Sequence, residues 1–173
     1  MGFSRFYPAL MDCICRYDSP LGGVTLAGEG PALTGLCFDR QAYAGLQGVE
    51  GWLPVFDDAR RWLDVYFSGK VPSFTPRLKL RGTPFRRDVW EILLKIPYGC
   101  TMTYGEIAGL MAAKRGLQRM SAQAVGGAVS HNPVALIVPC HRVIGASGAL
   151  TGYAAGLDRK RFLLGLEGIC VED

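Results

Sequence analysis

The sequence predicts an α+β protein of two lobes: an antiparallel sheet carrying one helix, then a mostly helical lobe that contains a helix-turn-helix. Three observations predict it. Residues 11 to 38 hold short β-like runs cut by turn residues, and residues 83 to 129 hold capped stretches with apolar residues at helical spacing. Between them, residues 70 to 82 are rich in proline and basic residues. The boundary is therefore placed after residue 82, giving an N-terminal lobe with its linker over 1–82 and a C-terminal lobe over 83–173.

Ile14 to Tyr17, Val24 to Ala27 and Leu33 to Phe38 are the strands of a meander, separated by Asp18 to Gly23 and by Gly28-Glu29-Gly30-Pro31. A helix follows from Pro54 to Phe67, with Phe56, Ala59, Leu63, Tyr66 and Phe67 at helical spacing and Ser68-Gly69 as its stop. Residues 70 to 82, with alternation at Leu78 and Leu80, form a strand or a linker. Thr83 caps the next helix, Pro84 suits its first position, and Phe85, Val89, Ile92, Leu93 and Ile96 make its apolar stripe.

Thr103 and Glu106 form a capping box, and Ile107, Leu110 and Met111 supply the buried face of the short helix it opens. Ser121 caps a further helix running through Val129, until Asn132-Pro133 breaks it. Two short helices across a tight connection suggest a helix-turn-helix. The apolar run Val134 to Val138, closed by Pro139, predicts a short buried strand, so that Cys140 sits where strand gives way to loop. A glycine-rich loop over 145–156 and a helix from Leu157 to Leu166 complete the chain.

At 49% hydrophobic and 20% charged residues over 173 positions, the chain can bury a substantial core. No apolar stretch approaches the roughly 20 residues that span a bilayer, so no membrane partner is expected. Met1 to Phe6 lack the long apolar segment of a signal peptide, and Phe6 stands where a myristoylation pattern wants Ser or Thr. Six dispersed cysteines without an export signal predict reduced thiols in the cytoplasm. His131 and His141 are the only histidines and lie far from Cys13 and Cys15, so no zinc-ligand spacing is present; no metal and no cofactor are expected. The net charge of +4 is modest, but Lys114, Arg115 and Arg119 cluster in one loop and Arg77, Lys79, Arg81, Arg86 and Arg87 in another segment, which suits a phosphate-facing surface.

The chemistry concentrates in Val138-Pro139-Cys140-His141-Arg142-Val143. A thiol beside an imidazole can be deprotonated near neutral pH, and Arg142 adds a positive charge that lowers thiol pKa. Pro-Cys-His-Arg resembles the active-site signature of the O6-alkylguanine-DNA alkyltransferases, a resemblance that extends from Thr83 to Gly168. It implies a ribonuclease-H-like N-terminal lobe and an irreversible transfer of an alkyl group from O6 of guanine to Cys140. By the same resemblance His141 deprotonates Cys140 through a bridging water, Glu167 orients the imidazole, and Tyr104 stabilises the departing base. The partner implied is double-stranded DNA containing O6-alkylguanine, met by a monomer.

An alkylated guanine in a duplex must be flipped out to reach a buried thiol. The resemblance assigns that step to the helix opened by Ser121, with Ser121, Gly126 and Arg142 counted among the residues that meet substrate or DNA. Tyr153 lines the base pocket, Gly126 and Gly127 fit a close helix approach, and Asn132 braces the segment before the active site. Gln123 stands where the family usually has an arginine that fills the gap left by the flipped nucleotide, and Ala154 where many members have a serine near the guanine O6. Two other classes fit parts of the pattern: a helix-turn-helix protein that binds lesions or senses alkylation without reacting, and a cysteine hydrolase using Cys140, His141 and Glu167.

Overall fold

A computed structural model describes residues 12–41 and 46–170. Met1 to Phe6, whose sequence bears on export and lipidation, lie outside the described residues.

Strands β1 (Asp12–Ser19), β2 (Gly22–Glu29) and β3 (Ala32–Phe38) form the expected antiparallel meander. The sheet order is β3-β2-β1-β4, because a three-residue strand β4 (Gly48–Glu50) adds itself parallel to the start of β1. Three residues are too few for an alternation pattern to announce them. Helix α1 (Pro54–Phe67) starts on a proline and lays Val55, Phe56, Ala59, Trp62, Leu63 and Tyr66 on the sheet.

Every residue of β3 is buried because its far edge is also covered. Leu33 N–H donates to the Arg77 carbonyl and Lys79 N–H to the Leu33 carbonyl. Leu36 bonds in the same way to Pro133 and Ala135. The linker and the segment before Cys140 thus satisfy an edge that would otherwise expose unpaired backbone groups, and they attach the second lobe to the first.

Helix α2 (Pro84–Leu93) is capped by Thr83, whose hydroxyl accepts from Arg86 N–H. Trp90, absent from the stripe read in the sequence, is its largest buried side chain. Its indole N–H donates to the Ala128 carbonyl at 2.9 Å, and its ring lies where a Cβ on Gly82 would stand, 2.5 Å from Cη2. After the two-residue strand β5 (Met102–Thr103), the capping box opens α3 (Tyr104–Lys114), with Glu106 N–H on Thr103 Oγ1 at 3.1 Å and Thr103 N–H on Glu106 Oε2 at 2.7 Å. The buried face of α3 is Ile107, Ala108, Met111 and Ala112, whereas Leu110, expected inside, is 48% exposed. Ser121 caps α4 (Ala122–Ser130) through Ala124 N–H. Residues 115–121 join α3 to α4, a longer connection than the tight one expected of a helix-turn-helix.

The expected strand over Val134 to Val138 does not form. Val134 makes one bridge to Leu36, Leu136 takes the left-handed conformation at φ 68°, and the chain folds back so that Val138 N–H reaches the Val134 carbonyl. Cys140–Arg142 then make a single turn of 3-10 helix, followed by β6 (Val143–Ile144), which pairs parallel with β5. Helix α5 (Leu157–Leu166) closes the fold.

Candidate active site

Asn132 is the reason the chain before Cys140 turns instead of running extended. Its side chain is buried, donates from Nδ2 to the Val138 carbonyl at 2.7 Å, and accepts at Oδ1 from Val134 N–H at 3.0 Å. One amide therefore clamps both ends of the five-residue apolar run, and the positive φ of Leu136 is held between them. Pro139, at φ −81° and ψ 64°, centres a further turn in which Cys140 N–H donates to the Val138 carbonyl. Cys140 is thereby presented on a compact turn inside the core, 7% exposed.

Behind the thiol lies a closed polar network. The Glu167 side chain is fully buried and accepts five hydrogen bonds. Oε1 takes His141 Nε2 at 2.7 Å, the Tyr66 hydroxyl at 2.8 Å and Arg142 Nη2 at 3.0 Å. Oε2 takes Arg142 Nε at 2.8 Å and the Gly99 N–H at 3.0 Å, and the φ of 76° at Gly99 turns that N–H inward. Burial alone would raise the Glu167 carboxyl, but the bonds and charges of His141 and Arg142 outweigh it and hold the group at about 2. It is a carboxylate at neutral pH and can only accept.

That fixes the imidazole. With an acceptor 2.7 Å from Nε2, that nitrogen carries the hydrogen, and Nδ1 keeps its lone pair. Nδ1 is buried and has no hydrogen-bond partner. Burial pushes the His141 pKa below the ordinary histidine value, with Glu167 pulling the other way, so the ring is neutral at pH 7 and able to take a proton.

Arg142 does not lie against the thiol as expected. Its guanidinium forks onto Glu167 and donates from Nη1 to the Ile96 carbonyl at 2.7 Å, so its charge is spent orienting the carboxylate, and at 8% exposure it is no DNA contact. The charge that does favour a thiolate comes from Lys160, which the sequence reading passed over as part of an ordinary helix. Lys160 is buried and donates to the carbonyls of Val143 and Thr151, tying α5 to the glycine-rich loop. Burial lowers its pKa to about 8. Even so, desolvation of Cys140 outweighs the help from Asn132, Lys160 and Tyr153, and the thiol titrates above its ordinary value. The resting group is a thiol that needs a base.

Cys140 opens onto a cleft of about 920 Å³ between α4 and the 151–154 loop, large enough for a nucleobase. Tyr104, Gln123, Gly126, Gly127, Asn132, Tyr153 and Ala154 line it, so the residues predicted for the site converge on one space. Gln41 reaches it from the first lobe, again without having been singled out in the sequence. Burial raises the Tyr104 phenol, with Cys140 adding to the effect. The Tyr153 hydroxyl is buried without a hydrogen-bond partner, near enough to Cys140 that each perturbs the other's titration. The glycines of α4 are not demanded by helix packing: a Cβ on Gly126 would rest 3.7 Å from the Tyr104 ring and one on Gly127 would meet nothing within 4 Å. Their bare surface faces the cleft instead. Ser121 and Gln123 are exposed at the start of the same helix.

Four of the eight cations in the two basic clusters are paired. Lys114 binds Asp88 and Glu91, Arg115 binds Asp88, Lys79 binds Glu29, and Arg81 binds Asp12 and Glu29. These four cations cross-link α3 to α2 and the linker to the sheet, and the rest of the two clusters, Arg77, Arg86, Arg87 and Arg119, make no such ion pair among the described residues. Among the described residues no cluster of metal-ligating side chains occurs and no helix is long and apolar enough to cross a membrane. All six cysteines are free thiols.

A family model described as the DNA binding domain of 6-O-methylguanine DNA methyltransferase matches residues 84–169, and one described as its ribonuclease-like domain matches residues 15–80. The methylated-DNA–protein-cysteine methyltransferase of Mycobacterium tuberculosis is 50% identical over 153 residues, covering 87% of this chain and 88% of that one. Its counterpart in Methanosarcina acetivorans is 45% identical over 157 residues, 89% and 97% of the two chains. Among solved structures, Mycobacterium tuberculosis OGT in complex with DNA superposes with a TM-score of 0.80 at 48% identity, covering 90% of this chain and 92% of that one.

Proposed function

The chain belongs to the 6-O-methylguanine DNA methyltransferase family, and from that premise we propose that Cys140 is its alkyl acceptor. The protein is a methylated-DNA–[protein]-cysteine S-methyltransferase, a DNA repair protein that moves the alkyl group from O6-alkylguanine in double-stranded DNA onto its own cysteine. The observation that carries the assignment to Cys140 is the buried network of His141, Glu167 and Arg142 behind the one cysteine that lines the cleft.

In this reading Glu167 and Arg142 hold His141 with Nε2 protonated, and Nδ1 takes the proton of Cys140 through a bridging water. The thiolate attacks the alkyl carbon in line, the sulfur–carbon bond forms, and the bond from carbon to O6 breaks with its electron pair passing to the guanine. Tyr104, kept protonated by burial, donates to the departing base. The thioether has no route back to the thiol, so each molecule acts once. Helix α4 delivers the flipped nucleotide: Ser121 and Gln123 face the duplex, Gly126 admits its backbone, Tyr153 and Ala154 bound the base, and Asn132 holds the turn that presents the sulfur.

The proposal extends to a monomer working in the cytoplasm, where six free thiols stay reduced, and to a lobe boundary after residue 82. The two family models meet across residues 80 and 84, which supports that boundary. A Cys140→Ser variant tests the assignment. It should bind an O6-methylguanine duplex as the wild type does and take up no methyl group. Methyl uptake by that variant would refute the assignment.

A further inference from the structure

The Tyr66 hydroxyl belongs to α1, in the lobe that contributes no helix to the DNA-facing cleft, yet it lies at the centre of the polar network. It is fully buried, 2.8 Å from Glu167 Oε1 and 3.2 Å from His141 Nε2, although 101 and 75 residues separate it from those partners. We propose that Tyr66 is a positioning residue of the alkyl transfer, one that donates to Glu167 and through that carboxylate keeps His141 protonated on Nε2 and free on Nδ1. The inference rests on the reading of Cys140 and His141 given above.

Packing does not ask for a hydroxyl here. The Tyr66 ring stacks on Trp62 at 5.2 Å and meets Phe67, Tyr98 and His141 edge-on at 5.5, 6.1 and 6.2 Å, a box that a phenylalanine would fill equally well. A buried hydroxyl is costly unless it is bonded, and this one has a single acceptor that suits it. His141 Nε2 must carry a hydrogen to approach the carboxylate at 2.7 Å, so the Tyr66 hydrogen goes to Oε1. The alternative tautomer would set the Nε2 lone pair against an anion and spend the Nδ1 lone pair that the base needs. Arg142 grips both carboxylate oxygens, and Tyr66 holds Oε1 from a third element, leaving the carboxylate little freedom to rotate. Burial and the neighbouring Glu167 charge raise the phenol, so it remains a protonated donor at neutral pH. The first lobe thereby completes the catalytic network of the second.

The test is Tyr66→Phe, alone and combined with Glu167→Gln, in the full chain. The single variant should melt within a few degrees of the wild type and bind an O6-methylguanine duplex unchanged. Its single-turnover methyl transfer at saturating duplex should fall about tenfold. The same factor should appear with free O6-benzylguanine, which needs no flipping. In the Glu167→Gln background the further loss should be less than twofold, because the hydroxyl acts through the negative charge of that carboxylate, which the amide lacks. A Tyr66→Phe protein that transfers at the wild-type rate overturns the inference, as does a penalty of full size in the Glu167→Gln background. Nitrogen-15 spectra of the wild type, which do not depend on a variant folding, should show His141 protonated at Nε2, and protonation at Nδ1 overturns the inference as well. A wild type that takes up no methyl group overturns the reading of Cys140 together with this one, whereas a reactive wild type beside an equally reactive Tyr66→Phe overturns this one alone.

Discussion

Replacing Glu167 by glutamine keeps the shape of the side chain and inverts part of its chemistry. The carboxylate accepts on both oxygens, from Tyr66, His141 and Arg142 Nη2 on one and from Arg142 Nε and Gly99 on the other. A glutamine NH2 placed on either side points hydrogens at hydrogens. The less costly placement sacrifices the Arg142 Nε and Gly99 bonds and leaves a buried guanidinium facing a neutral amide. Breaking a buried ion pair from one side costs about 3–5 kcal/mol. For a chain of this length each kcal/mol lowers the melting temperature by about 2–4 °C, so the variant should melt about 10 °C lower while remaining folded at 25 °C. The effect on chemistry is larger, because His141 loses the anion that stabilises it once protonated, and the group that orients it loses the Arg142 Nε bond. Transfer should fall on the order of 100-fold to 10,000-fold. Calorimetry gives the first quantity and a quenched single-turnover assay with an O6-methylguanine duplex the second. A variant that melts with the wild type and transfers within twofold of its rate would refute the claim that Glu167 is the hub of the site.

Three further predictions concern acid stability, the turn and DNA handling. The Glu167 carboxyl sits at about 2 in the folded protein against an ordinary 4.5, which corresponds to about 3 kcal/mol of stability present above pH 4.5 and lost as the pH falls towards 2; urea unfolding across that range should show the loss, and Glu167→Gln should lack it. Asn132→Ala strands the Val134 N–H in the core, leaves the Val138 carbonyl with the Cys140 N–H alone, and should cost about 1–3 kcal/mol by chemical denaturation; it should also slow methyl transfer, because the donor that favours the Cys140 thiolate is gone. Gln123→Arg should speed repair of duplex DNA by about fivefold, the equivalent of 1 kcal/mol of transition-state binding, and leave reaction with free O6-benzylguanine unchanged; an equal effect on both reactions would contradict the placement of Gln123 outside the chemical step.

What the sequence disclosed about this fold is what local chemistry decides. Thr83, Thr103 with Glu106, and Ser121 cap helices through bonds that span three residues, so pattern and structure coincide at each helix start. The Val134–Val138 run has the composition of a buried strand and is buried, but the clamp from Asn132 makes it a turn, and a side chain reaching both ends is invisible to periodicity. Leu110 is apolar at a helical position and faces outward, since only about three or four positions per two turns can face the core.

The charged residues misled for a related reason. Lys114, Arg115, Lys79 and Arg81 form a basic pattern along the chain, but their partners Asp88, Glu91, Asp12 and Glu29 arrive from other elements. Arg142 sits beside Cys140 in sequence and points away from it to Glu167. Two of the site residues that escaped notice, Tyr66 and Lys160, lie on helices whose patterns are those of ordinary packing and ordinary solvation, and only the assembled fold brings them to the site.

The most direct test of the account is to react the wild-type protein with a duplex containing a single isotopically labelled O6-methylguanine, digest it, and map the label. The account predicts one methyl group per molecule, on Cys140, with unmodified guanine left in the DNA. Label on Cys13, Cys15, Cys37, Cys100 or Cys170, or a protein that binds the duplex and stays unlabelled, would contradict it.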